Sequence, residues 1–99
     1  MSYKFIITDE YKKRLKRFFK RHPDMFKRYA KVIGILEVDP FHSSLRLHKL
    51  KGNLEEYYSV SINMEYRIVI DFIVRDKEII PVDIGSHNDV YINRGTNEK

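Results

Sequence analysis

The sequence predicts an α+β domain of order β-α-α-β-β-β, with a helical hairpin packed on an antiparallel sheet and a short C-terminal helical turn. Three observations predict the layout. Apolar residues recur with a period near 3.6 between residues 11 and 36, then with a period of 2 between residues 57 and 84. His22-Pro23 and Asp39-Pro40 interrupt and end the helical part. Asn63-Met64-Glu65 and Arg75-Asp76 divide the remainder into three strands.

Tyr3 to Ile7 is a strand-like opening. Thr8 followed by Asp9 and Glu10 is an N-cap with acids in the first turn, where carboxylates favour the positive end of the helix dipole. Tyr11, Leu15, Phe18 and Phe19 fall at i, i+4, i+7 and i+8 and form one apolar stripe, with lysines and arginines on the other faces. Proline suits the first turn of a helix and disfavours helical geometry in the residue before it, so a second helix begins at about Pro23. Its expected stripe is Phe26, Tyr29, Ala30, Ile33 and Leu36. After a loop at 41–44, Tyr58, Val60 and Ile62 alternate with Tyr57, Ser59 and Ser61, as in a strand buried on one face only. Residues 66–74 and 77–84 complete a meander, the last strand ending at Gly85. Pro81 has no N–H to give a ladder, so that strand lies at an edge or leaves the position free of pairing.

The 99 residues make one domain, expected over 1–92, with a polar, flexible tail over 93–99. A hydrophobic fraction of 42% supplies a core without cross-links, and the absence of cysteine excludes disulfides and thiolate metal sites. No apolar run reaches the ~20 residues of a membrane span, and no address signal is visible, so the cytoplasm is the expected location. The net charge is +5, and ten of the nineteen lysines and arginines lie between Lys12 and Lys31. Such a stretch attracts phosphate backbones or an acidic protein partner, or merely keeps a helix face solvated.

Polar residues interrupt the strand region in three clusters that an antiparallel meander can bring to one end of its sheet. They are Leu47-His48-Lys49-Leu50-Lys51-Gly52, Glu65-Tyr66-Arg67, and Gly85-Ser86-His87-Asn88-Asp89-Val90-Tyr91. His-x-Leu-x-Gly, an aromatic pair, Tyr-Arg-Ile-Val-Ile and Gly-Ser-His-x-x-x-Tyr together resemble the RelE/YafQ branch of the RelE/ParE toxins. The resemblance covers residues 3–92, in pattern through the helices and in residues from 47 to 91. It implies the toxin of a type II toxin–antitoxin pair: an mRNA-cleaving endoribonuclease (mRNA interferase) that enters the ribosomal A site, inhibits translation, and is held inactive by a cognate antitoxin protein.

Such cleavage has definite needs. The RNA 2′-hydroxyl attacks the adjacent phosphate, so a base takes its proton, an acid protonates the leaving 5′-oxygen, and cations stabilise the phosphorane. The reaction as written needs neither metal nor cofactor. The resemblance assigns His87 to proton transfer and Tyr91 to stacking on a base or orienting the phosphate. It makes His48 the partner in acid–base exchange and Arg67 a ligand of phosphate oxygens. Glu65 falls where YafQ-like members carry an acid, and Lys49 and Lys51 are expected to hold the RNA backbone. Each has a plainer alternative: a loop histidine, an exposed strand arginine, a turn glutamate, surface lysines. Ser59 and Ser61 depart from the pattern, standing where relatives place lysines or a histidine. His22 and His42 match nothing in it.

Two other classes compete. A ParE-like toxin shares the fold and poisons DNA gyrase without a hydrolytic site of its own. A passive RNA- or DNA-binding domain explains the charge and the aromatics but has no use for histidines beside a phosphate.

Overall fold

The computed structural model describes residues 2–50, 57–73, 76–86 and 90. Strand β1 spans Lys4–Phe5, helix α1 Asp9–Arg21 and helix α2 Phe26–Val38; then follow β2 (His48–Lys49), β3 (Tyr58–Ser61), β4 (Tyr66–Ile73) and β5 (Glu78–Ser86). The sheet has five strands in the order β1-β5-β4-β3-β2, with both helices packed on one face. The α+β class and the meander of β3, β4 and β5 are as the periodicity predicts. The sheet as a whole is mixed, because β1 pairs in parallel with the start of β5. The two-residue β2 was not foreseen; it runs antiparallel to β3.

Helix α1 begins as its sequence dictates: the Thr8 side chain accepts the Tyr11 N–H at 3.1 Å. Its stripe is core, with Tyr11 and Phe18 buried and Leu15 and Phe19 packed beside them. The chain leaves α1 at His22 through a 3₁₀ turn over Pro23–Met25, so α2 starts at Phe26, three residues after the proline. That turn sets the rotation of α2. Met25, Tyr29, Val32 and Leu36 face inward at i, i+4, i+7 and i+11, whereas Phe26, expected in the stripe, is 59% exposed and leans on Phe19, and Ala30 is exposed too.

Pro81 explains an irregularity between β4 and β5. Val69 lies opposite Asp83 but Ile70 lies opposite Pro81, so Val82 is an extra, unopposed residue. The strand is not an edge strand at its start, where β1 covers it; the proline is accommodated by the slip in register. The slip also turns side chains. Val82 packs on the face away from the helices with Leu50, Val69 and Val90, while Asp83 and Ile84 both face α1. That small second cluster covers part of the sheet's far face, and it buries Ser59, which the alternation alone had placed in solvent.

Val90 is helical and fully buried, in the stretch where a C-terminal helical turn was expected; the tail over 93–99 lies outside the described residues. Among the described residues no helix is long and apolar enough to cross a membrane.

Candidate active site

The period of 2 assigns the faces. Tyr58, Val60 and Ile62 of the β3 segment and Tyr66, Ile68 and Ile70 of β4 join the helix-side core, so Ser59, Ser61 and Arg67 belong to the far face. Directly opposed residues of paired strands share a face. Arg67 is opposed by Ser61 on β3 and by Gly85 on β5, which makes one row across three strands at the end of the sheet where β5 runs out. His48 is opposed by Ser59, so it stands on the same face one row further in. Two strand spacings and two residues separate His48 from Arg67, about 12 Å between Cα atoms. An imidazole and a guanidinium can meet one phosphate across that gap.

The ring of His48 is exposed, and its Nδ1 lies 3.0 Å from the carbonyl oxygen of Arg46. A carbonyl only accepts, so Nδ1 of the neutral ring carries the proton and Nε2 presents its lone pair outward. The carbonyl is in place because Arg46 adopts a left-handed conformation, φ 51°, at the end of the 3₁₀ turn Ser43–Leu45. Nothing in the sequence signals that turn.

Arg67 is half-buried, and its Nε is fully buried with no hydrogen-bond partner among the described residues. The hydroxyl of Ser59, in the adjoining strand on the same face, is likewise buried and unpartnered. Buried donors without partners are costly and rare, and they cluster where a ligand or water completes the bonding.

The remaining predicted residues are less concentrated. Lys49 is opposed by Tyr58, which puts it on the helix side of the sheet, away from the face of His48. Glu65 is exposed in the turn between β3 and β4; its backbone N–H and that of Tyr66 both donate to the Asn63 side chain, at 2.9 and 2.8 Å. That Asx turn holds the start of β4 and therefore Arg67. His87, Tyr91 and Lys51 lie outside the described residues. Among the described residues no three His, Asp or Glu side chains are grouped to hold a metal ion.

His22, set aside in the sequence, has a structural part. Its ring packs at a tilt against both Phe18 and Tyr66, with centroids 4.9 and 4.7 Å away, and its Nδ1 is 3.3 Å from the Tyr66 hydroxyl. It joins the end of α1 to the start of β4, the strand that carries Arg67. His42 accepts from the N–H of Ser44 and caps the turn that precedes His48.

Known structures share this architecture. The fold superposes on YafQ from E. coli strain BL21(DE3) with a TM-score of 0.74, at 16% identity, over 90% of this chain and 98% of that one. It matches the E. coli DinJ–YafQ toxin–antitoxin complex with a TM-score of 0.73, at 18% identity, over 92% and 99%. A chain of the toxin–antitoxin complex RelBE2 from Mycobacterium tuberculosis gives 0.65, at 15% identity, over 88% and 100%. No match was found among curated proteins. At these identities the likeness is one of fold. The sequence itself goes further, since residues 3–92 match the family described as bacterial toxin of type II toxin-antitoxin system, YafQ. This chain therefore belongs to the YafQ family of bacterial type II toxin–antitoxin toxins.

Proposed function

We propose that this toxin is an endoribonuclease that cleaves mRNA on the ribosome and so blocks translation. The observation that carries the reading is Arg67: a guanidinium held in a three-strand row, with a buried, unpartnered Nε, on the same face as an imidazole whose Nε2 is free. Arginine there binds two oxygens of the scissile phosphate and stabilises the phosphorane. His48, with Nδ1–H donated to Arg46, is set to take the 2′-hydroxyl proton through Nε2. His87, the residue after the end of β5, protonates the leaving 5′-oxygen, and Tyr91 stacks on a base. Glu65 orients a histidine, and Lys51 holds the RNA backbone; Lys49 does so from the rim of the sheet. No metal or cofactor takes part in these steps.

The chain acts in the cytoplasm and is neutralised there by a cognate antitoxin, as the DinJ–YafQ pairing of a structural relative suggests. The test is inducible expression of the wild type and of His87→Ala, followed by primer extension on an abundant mRNA. Growth arrest with new mRNA ends in the wild type alone supports the reading. Arrest with intact mRNA points to a gyrase poison instead.

A further inference from the structure

A cleft of about 240 Å³ opens between α1 and the end of β5. Arg14, Arg17 and Arg21 line it from α1 at i, i+3 and i+7, with Asp83, Ile84 and Gly85 below them. Arg14 is committed to the fold: it holds Glu10 at 3.1 Å and Asp83 at 3.4 Å. Arg17 and Arg21 are exposed, and among the described residues neither side chain has an ion-pair or hydrogen-bond partner. Two like charges at i, i+4 repel each other, and an anion between them removes that cost.

We propose that this cleft is a second phosphate subsite, in which Arg17 and Arg21 hold the backbone of the RNA beside the phosphate that is cut. The inference builds on the ribonuclease reading and adds to it where the substrate runs. Gly85 supports it, because that residue both lines the cleft and lies directly opposite Arg67, so their Cα atoms are about 5 Å apart. Glycine puts no side chain between the two positions, and an RNA strand crossing the end of β5 passes from one cation to the next. The lining favours nucleic acid over an acidic peptide. Its free groups are guanidinium forks matched to phosphate oxygens, and only Phe18 and Ile84 offer apolar surface for anchoring a side chain.

The full chain is tested with a short fluorescein-labelled 2′-O-methyl oligouridine, which lacks the free 2′-hydroxyl needed for cleavage. Arg17→Ala/Arg21→Ala is compared with Lys12→Ala/Lys16→Ala, a pair on the same helix with the same charge loss that does not line the cleft. The arginine pair is expected to weaken binding by about tenfold or more. It should also lower the slope of log affinity against log salt by about 1.4, as the loss of two single-strand phosphate contacts requires. Equal losses from both pairs, or none from the arginine pair, overturn the subsite. Equal cleft-dependent affinity for poly-L-glutamate overturns it too, in favour of an acidic protein partner. Primer extension separates the two proposals: cleft-dependent binding without new mRNA ends defeats the nuclease reading alone, and new ends with cleft-independent binding defeat the subsite alone.

Discussion

Arg14 and Asp83 meet at 3.4 Å although the strand partner of Asp83, Val69, faces away from the helices. The unopposed Val82 brings this about: one extra residue in β5 turns Asp83 toward α1. Asp83 is 4% exposed, and the same carboxylate oxygen accepts the N–H of Ile84 at 2.8 Å. Removing the guanidinium takes the ion-pair partner from a buried carboxylate. Arg14→Leu is expected to cost about 2 kcal/mol, less than a fully buried pair would, because Arg14 keeps 31% of its side chain in water. Urea denaturation checks it; an unchanged midpoint would show that the pair does not tie α1 to β5.

Ser59 should behave in the opposite way. Its hydroxyl is buried and makes no hydrogen bond among the described residues, so Ser59→Ala removes an uncompensated polar group. The variant is expected to be as stable as the wild type or up to about 1 kcal/mol more stable. A loss of mRNA cleavage in a fully folded Ser59→Ala variant would place that hydroxyl in the reaction.

His48 and Lys49 are adjacent in sequence and lie on opposite faces of the sheet. On the ribonuclease reading, His48→Ala lowers the cleavage rate by about 10²–10⁴, the usual worth of a general base. Lys49→Ala has only the small effect of one lost surface cation. Comparable losses from both would mean that the substrate approaches along the rim and not across the face of Arg67.

Arg67→Lys keeps the charge and discards the fork. If Arg67 clamps two phosphate oxygens in the transition state, Arg67→Lys and Arg67→Ala both lose about 10²–10³ in rate. Thermal unfolding should change little, since the buried Nε of Arg67 has no hydrogen bond to lose among the described residues. Retained activity in Arg67→Lys would reduce the role to a simple cation.

The hydroxyls of Tyr11 and Tyr29 meet at 2.9 Å between α1 and α2. Burial raises both above the ordinary tyrosine range, and for Tyr11 the charge of Tyr29, their shared hydrogen bond and Asp83 add to it. A phenol that holds its proton more tightly when folded contributes stability that is complete below the unfolded pKa of about 10 and is lost as pH rises beyond it. Ultraviolet titration is therefore expected to show two of the seven tyrosines ionising above the ordinary tyrosine range. Tyr11→Phe should flatten the alkaline loss of stability while costing about 1 kcal/mol at neutral pH.

Much of this architecture depends on residues close together in the chain, and so was legible in it. The Thr8 cap, the α1 stripe, the break at His22-Pro23 and the face of Arg67 each involve neighbours within about four positions or an alternation of two. The resemblance in residues 47–91 added the family. Tertiary structure decided what depends on distant partners. Arg14 and Asp83 are 69 positions apart, and their meeting requires a register slip that Pro81 makes tolerable but does not specify. The parallel place of β1, the burial of Ser59, the tautomer of His48 and the rotation that exposes Phe26 arise in the same way. Local pattern says which residues must leave water; only the packed chain says which partners they find there.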